Sequence, residues 1–158
     1  MDKIWSSAAE AVADIRDGAV IAAQAFGIIG TPHHLFRALA ESGKKELTLI
    51  CTTFIPIPVE SELPGPVSLL PQLKKVITSG VGSRALGGTA VDFLQEQVEG
   101  GRLEIELTML GTLLMRLYAG AFGLGGFYDP VGVGTAIEEG KEKRNIDGME
   151  YVLSLIHI

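Results

Sequence analysis

An α/β fold with a largely parallel central sheet is what this chain predicts, and three observations carry the prediction. Short, largely apolar runs recur along it, Ala19–Ala25 and Leu47–Cys51 being the clearest, and such runs suit strands covered on both faces. Between them stand segments with helical spacing and with helix start and stop residues. Strand and helix signals alternate at least four times without an internal repeat or a linker, so one domain is expected over residues 1–153.

The elements follow in order. Ser7-Ala8-Ala9-Glu10 fits a capping box, in which serine and glutamate satisfy each other's free backbone N–H groups. Ile4, Ala8, Val12 and Ile15 continue at helical spacing, and Gly18 supplies a stop. After the strand Ala19–Ala25, Thr31 and Pro32 make an N-cap and first-turn pair. Leu35, Phe36 and Leu39 form one face, and Gly43 ends that helix. The strand Leu47–Cys51 comes next. Five prolines in the sixteen residues from Pro56 to Pro71 predict an irregular excursion, of a length that often serves function or covers something. Lys75–Ser79 reads as a third strand, leading through Gly80, Gly82, Gly87 and Gly88 into a helix from about Thr89 to Val98. Leu103–Leu107 alternates strictly, as a half-exposed strand does, and Leu113, Leu114 and Leu117 mark a further helix. Gly120–Gly134 is loop-like, and Asp147-Gly148 between apolar flanks signals a type I′ hairpin over Asn145–Leu153. The tail 154–158 has no stop, cap or charged end. It predicts an unpaired strand edge, and that the domain continues further or that this tail does not belong to it.

Composition narrows the function classes. A chain of 158 residues can bury roughly 69% of its unfolded surface, enough for a core without staples. With 47% hydrophobic residues and a mean hydropathy of +0.32, disorder is excluded. The charge of −6, the pI near 5.0 and the absence of a basic run argue against a nucleic-acid partner. The longest stretch without Asp, Glu, Lys or Arg, Gly18–Phe36, has 19 residues, but Gln24, Gly27, Gly30, Pro32, His33 and His34 unsuit it to lipid. No membrane span is expected, Met1–Ser7 lacks a signal peptide's apolar region, and a cytoplasmic location is the default. A single cysteine, Cys51, excludes an internal disulfide and a cysteine-based zinc site.

The most informative segment is the strand-to-helix junction from Gln24 to Pro32. Ligands of parallel sheets bind beyond the carboxyl ends of strands, and helix N-terminal amides can hold a phosphate, carboxylate or oxyanion. Gly27 and Gly30 allow a close backbone approach, although an ordinary tight turn has the same signature. Gly80-Val81-Gly82-Ser83-Arg84-Ala85 matches the dinucleotide fingerprint G-x-G-x-x-A, but Gly87 and Gly88 interrupt the expected helix and the next strand lacks a terminal acid. His33 and His34 diverge by about 100° on a helix and cannot share a metal; no metal site is expected. Cys51, at a strand end without a basic partner, reads as a buried small hydrophobe. Glu60 and Glu62 read as solvated, and Glu104 and Glu106 as the exposed face of a strand. No complete catalytic constellation is present.

Asp17-Gly18, the apolar strand, Phe26, Gly30-x-Pro32, Gly111-Thr112 and the run Phe127-Tyr128-x-Pro130-x-Gly132-Val133-Gly134-Thr135 resemble the A half of family I coenzyme A transferases. Those are the 3-oxoacid CoA transferases and their acetate and butyrate relatives. The likeness spans the chain to about Leu153. It implies a three-layer α/β/α fold shared with ribose-phosphate isomerases, and an A half continuing beyond residue 158. It also implies a hetero-oligomer with a B subunit, whose Ser-Glu-Asn-Gly motif, absent here, carries the nucleophilic glutamate. That glutamate attacks an acyl-CoA thioester to give an enzyme-bound glutamyl–CoA, so CoA is a substrate and no bound cofactor is implied. Catalytic residues would lie in the partner. Gln24, Ala25, Phe26, Gly27, Ile28, Ile29 and Gly30 match the family's CoA-contacting segment, and Thr52, Thr53, Leu110 and Gly111 match positions of the substrate pocket. The family's Gly-Gly before the phenylalanine is Gln24-Ala25 here, its paired asparagines are Thr52 and Thr53, and its Pro-Gln-Gly glutamine is Leu110. Three polar contacts changed together imply a less polar acceptor, or a paralogue that pairs with a B-like subunit without turnover. The glycine run leaves a nucleotide-binding oxidoreductase as a third alternative.

Overall fold

A computed structural model of the chain describes residues 4–26, 29–55, 65–81 and 89–155, with side chains in the 89–99 helix described from Leu94 onward. It divides into two compact units, residues 1–106 and 107–158. Their junction falls within a strand, Glu104–Leu107, which explains why no linker marks it in the sequence.

The first unit is a mixed α/β arrangement around a four-stranded sheet. Its elements are α1 (Ala8–Ala11), β1 (Val20–Ala22), α2 (His33–Glu41), β2 (Leu47–Cys51), a 3-10 segment (Pro66–Gln72), β3 (Leu73–Thr78), α3 (Thr89–Glu99) and β4 (Glu104–Leu107). The strands stand in the order β1-β2-β3-β4. β1 pairs parallel to β2 with Ile21 opposite Leu49, and β2 pairs parallel to β3 with Ile50 opposite Ile77. A shift of register between Leu47 and Thr48 lets Lys74 bulge from β3. Parallel pairing requires crossovers, which α2 supplies between β1 and β2 and α3 between β3 and β4.

The core gathers on β2 and β3, where Leu47, Leu49, Val76 and Ile77 are essentially inaccessible, together with Phe36, Leu39, Phe54 and Leu69. Complete burial of such a side chain contributes about 1.5–3 kcal/mol, so this cluster fixes the strand ends that carry the candidate site. The expected excursion after Pro56 is half legible: 56–64 lie outside the described residues, whereas Pro66–Gln72 packs buried against α2. There Gln72 Nε2 donates to the Leu39 carbonyl at 3.0 Å.

Several expectations are corrected. Only half of the capping box forms: Glu10 N donates to Ser7 Oγ at 3.1 Å, but the Glu10 carboxylate accepts from Ser6 N at 3.2 Å instead of from Ser7 N, and α1 ends after one turn at Ala11. β1 is not covered on both faces. It is the sheet edge, shorter than Ala19–Ala25, and Val20 is 50% exposed. Pro32 itself occupies the N-cap of α2 and Thr31 precedes it, because proline's φ of −80° and missing N–H suit the last residue outside the helix.

The second unit contains α4 (Leu110–Ala121), β5 (Gly126–Asp129), a 3-10 turn (Ala136–Glu138), β6 (Lys143–Ile146) and β7 (Met149–Leu155). The strands form an antiparallel sheet in the order β5-β7-β6. Gly120–Gly134 is therefore not one loop. α4 reaches Ala121, and Gly126 begins a strand where only glycine fits, since a Cβ there would stand 2.9 Å from the Ser154 carbonyl oxygen. Asp147 (φ 51°) and Gly148 (φ 85°) make the expected two-residue hairpin turn, closed by Gly148 N donating to Asn145 Oδ1 at 3.0 Å. β7 is the central strand: it pairs with β6 over Met149–Val152 and with β5 over Val152–Leu155, so at Ser154 and Leu155 the expected unpaired edge is filled on one side, by β5 alone. Residues 156–158 lie outside the described residues.

Candidate functional site

The carboxyl ends of β1, β2 and β3 are tied together by a ladder of carbonyls and hydroxyls. Beyond β1, the Ala25 carbonyl accepts from Thr52 Oγ1 at 2.5 Å, Thr53 Oγ1 at 2.6 Å and Thr53 N at 2.8 Å. Beyond β2, the Thr52 carbonyl accepts from Ser79 Oγ at 2.5 Å and Ser79 N at 3.2 Å. Phe54 N in turn donates to the Gly80 carbonyl at 2.8 Å, which also accepts from Thr78 Oγ1 at 3.1 Å. The chain beyond β1 and beyond β2 is thus braced in each case by hydroxyls of the neighbouring strand end, which pair the carbonyls of Ala25 and Thr52 where the backbone leaves the sheet.

The Gln24–Gly30 segment stands on this ladder. Ala25 is fully buried, while Phe26 is 56% and Ile29 69% exposed, so a buried anchor stands beside two exposed apolar side chains. Phe26 N donates to the Ile29 carbonyl at 3.4 Å and Ile29 N to the Phe26 carbonyl at 3.1 Å, making a minimal hairpin. The amides of Phe26 and Ile29 are used inside the loop. Gly27 and Ile28 lie outside the described residues. Gly30 takes φ +69°, and the exposed Gln24 side chain lies across it: a Cβ at Gly30 would stand 2.7 Å from Gln24 Nε2. Gln24 and Gly30 also border a mostly apolar pocket of about 370 Å³, walled by Val12, Ile21, Leu35 and Phe36 among others.

Of the candidate residues, Gln24, Ala25, Phe26, Ile29, Gly30, Thr52 and Thr53 are thus brought together in the first unit. Leu110 and Gly111 open α4 in the second unit, after Met109 as N-cap; both are exposed, and a Cβ on Gly111 would meet open space. Ser79 and Thr78 belong to the ladder, although sequence reasoning does not single them out. Their signal is present: a hydroxyl pair closing an apolar strand, as Thr52-Thr53 closes β2. Cys51 sits beneath the ladder, 4.0 Å from Thr78 Oγ1, and burial pushes its thiol up to about 12, a direction the Thr78 contact opposes. It is no nucleophile in this state. Glu104 and Glu106 share one face of β4, where Lys75 Nζ bridges both at 2.9 and 2.8 Å. Among the described residues no cluster of His, Cys, Asp or Glu is arranged to hold a metal ion. No helix among them is long and apolar enough to cross a membrane. The fingerprint Gly80–Ala85 lies outside the described residues from position 82 onward.

The second unit has its own polar anchor. Asp129, buried at the end of β5, accepts from Thr112 Oγ1 of α4 at 2.5 Å and from Val131 N at 2.8 Å. It fixes the turn that opens the glycine-rich run Gly132–Gly134, where Gly132 (φ 96°) and Gly134 (φ 78°) adopt left-handed backbone.

A parallel four-stranded sheet with crossover helices and hydroxyl-braced loops beyond its strand ends defines an α/β protein. The chain belongs to the coenzyme A transferase family: the family's model, described as coenzyme A transferase, matches residues 5–156. Within the family it is of the A type, the half also called alpha. It is 37% identical over 153 residues to the A-type chain of a probable succinyl-CoA:3-ketoacid coenzyme A transferase of Bacillus subtilis (strain 168), covering 97% of this chain and 60% of that protein. To the alpha chain of the acetate CoA-transferase of Escherichia coli (strain K12) it is 36% identical over 146 residues, covering 91% of this chain and 61% of that one. The chain therefore spans about 60% of the length of the curated relatives it matches. Among solved structures, an acyl-CoA transferase of Escherichia coli O157:H7 (YdiF) in thioester complex with CoA shares the fold, with a TM-score of 0.72 and 20% identity over 95% of this chain and 32% of that one.

Proposed function

We propose that this chain supplies the A half of an enzyme that moves CoA between a short acyl-CoA, of the 3-oxoacyl type, and a free carboxylate. In this reading the Gln24–Gly30 loop receives the CoA thioester, while Thr52 and Thr53 in the first unit and Leu110 and Gly111 in the second each stand at positions that the family resemblance matches to its substrate pocket. A B subunit in a cytoplasmic hetero-oligomer brings the glutamate that attacks the thioester. CoA acts as substrate, and no resident cofactor is needed. The observation that carries the reading is the exposed Phe26–Ile29 hairpin, anchored on buried Ala25 at the strand ends of a coenzyme A transferase family chain. Exposed Phe26 and Ile29 beside buried Ala25 suit the pantetheine arm, whose length is mostly apolar with a few amides. Covalent catalysis by a carboxylate divides one difficult acyl transfer into two easier steps, and the loop's task is to hold the thioester where that carboxylate reaches it.

One observation favours a second reading, a non-catalytic partner that pairs with a B-like subunit without turnover. Both threonine hydroxyls are directed at Ala25, and Leu110 has no hydrogen-bonding side chain, so these three positions offer little to a carboxylate. The test is a thioester-exchange assay on the complete protein, by itself and with its B subunit. Transfer only in the presence of both is expected. Transfer by the A half in isolation overturns the division of labour, and a stable complex without transfer favours the second reading.

A further inference from the structure

We propose that Thr52 and Thr53 are positioning residues whose hydroxyls hold the Ala25 carbonyl and so orient the Phe26–Ile29 hairpin; the inference rests on that hairpin receiving the CoA thioester. A carbonyl oxygen offers two lone pairs, yet this one receives three donors, at 2.5, 2.6 and 2.8 Å. Each hydroxyl has a single proton, and both are spent on Ala25. Toward a ligand the two side chains can then only accept. A thioester carbonyl and a carboxylate are themselves acceptors, so neither hydroxyl can bind them without releasing Ala25.

The Ala25 carbonyl and the Phe26 N–H belong to one planar peptide unit. Fixing the carbonyl's direction fixes the N–H, which points to the Ile29 carbonyl and forms one of the two hairpin bonds. The peptide plane is held from both sides. Ser79 extends the brace one strand further by donating to the Thr52 carbonyl, so the hairpin's orientation is referred to β2 and β3. Two short hydroxyls can hold the plane with little freedom of their own, because threonine is stiff at χ1.

The experiment replaces Thr52 and Thr53 singly and together by valine, which keeps the shape and removes the proton, and by serine, which keeps the proton. The complete protein with its B subunit is used. Hydrogen exchange at 23–30 is followed without CoA, and KM and kcat are measured for a CoA thioester. With two bonds lost, the double valine variant should exchange the hairpin amides roughly tenfold faster or more, and raise KM for the thioester by a similar factor. kcat should stay within about twofold and the serine variants close to the parent. Retained protection of β2 amides reports that the variants are folded. Unchanged hairpin exchange in the double valine variant overturns the proposal, as does failure of serine to restore it. A fall in kcat at constant KM does so too, since it assigns the hydroxyls to the reacting groups. A parent protein that does not turn over CoA thioesters defeats the proposed function, while the exchange result still decides the positioning role.

Discussion

Gly30→Ala isolates what the bend after β1 contributes. Gly30 has φ +69°, and an alanine held there costs roughly 1–2 kcal/mol of backbone strain. Its methyl would also stand 2.7 Å from Gln24 Nε2 and 3.1 Å from Gln24 Cδ, so the glutamine must leave its place. That displacement is inexpensive in stability, because the atoms form the end of an exposed, flexible side chain. Gly43, after α2, is the matched control: its φ is also +69°, and nothing lies within 4 Å of its Cβ. Both substitutions should lower the melting temperature by a similar amount, roughly 2–8 °C for a domain of this size. Gly30→Ala alone should weaken binding of a CoA thioester, and the Gln24→Ala/Gly30→Ala pair should show coupling in a double-mutant cycle, since the two residues touch. Melting followed by circular dichroism and binding followed by titration calorimetry separate the two effects. Equal affinity in the Gly30→Ala and Gly43→Ala proteins refutes the reasoning about the loop. An unchanged melting temperature in both refutes the reasoning about the backbone.

Three further outcomes follow from the same geometry. Cys51, with its thiol pushed up to about 12 by burial, should resist alkylation at pH 8 in the native protein and label only on unfolding. Because the folded state holds the proton more tightly, its contribution to stability is full below the ordinary thiol value of 9.0 and falls as pH rises toward 12, and rapid native labelling would contradict this. The bond to Glu104, then that to Glu106, raises the Lys75 ammonium above its ordinary 10.5, so its contribution is full below 10.5 and is lost as pH rises through the raised value. Lys75→Met should cost no more than about 1 kcal/mol at pH 7, since water screens the pair, and a cost that persists undiminished at high pH would contradict the ion-pair account. Asp129→Ala should destabilise the second unit by about 3 kcal/mol in urea melts, because it strips two charge-assisted bonds and leaves buried Thr112 without its carboxylate. Asp129→Asn, which keeps an acceptor, should cost less, and equal losses would point to packing instead.

The strands with the strongest apolar signal were the most legible. Leu47–Cys51 is β2 residue for residue, because a strand buried throughout leaves no exposed position to blur its ends. Asp147-Gly148 was equally plain, since a two-residue hairpin demands positive φ at both central positions. β1 misled because composition reports hydrophobicity rather than place in the sheet: an edge strand of Val20, Ile21 and Ala22 reads like a central one. β5 was hidden among glycines, whose use at Gly126 is a close approach to β7 that only pairing reveals. At the candidate site, the position of the bend was readable from a strand running into Gly30-Thr31-Pro32. The use of Thr52, Thr53 and Ser79 was not. A hydroxyl at a strand end serves a ligand or a neighbouring carbonyl equally well in sequence, and only the three distances to Ala25 decide between them.

The central claim is that CoA meets this chain at the hairpin beyond β1. The same unit offers a rival, a larger groove of about 1030 Å³ at the opposite ends of the strands, bordered by Lys45, Lys74 and Arg102. Hydrogen exchange of the complete protein with its B subunit, with and without CoA, distinguishes them. The account predicts slower exchange over 23–30 and 52–54 on adding CoA, with the segments bearing Lys45, Lys74 and Arg102 unaffected. Protection confined to those segments, with 23–30 unchanged, would contradict it.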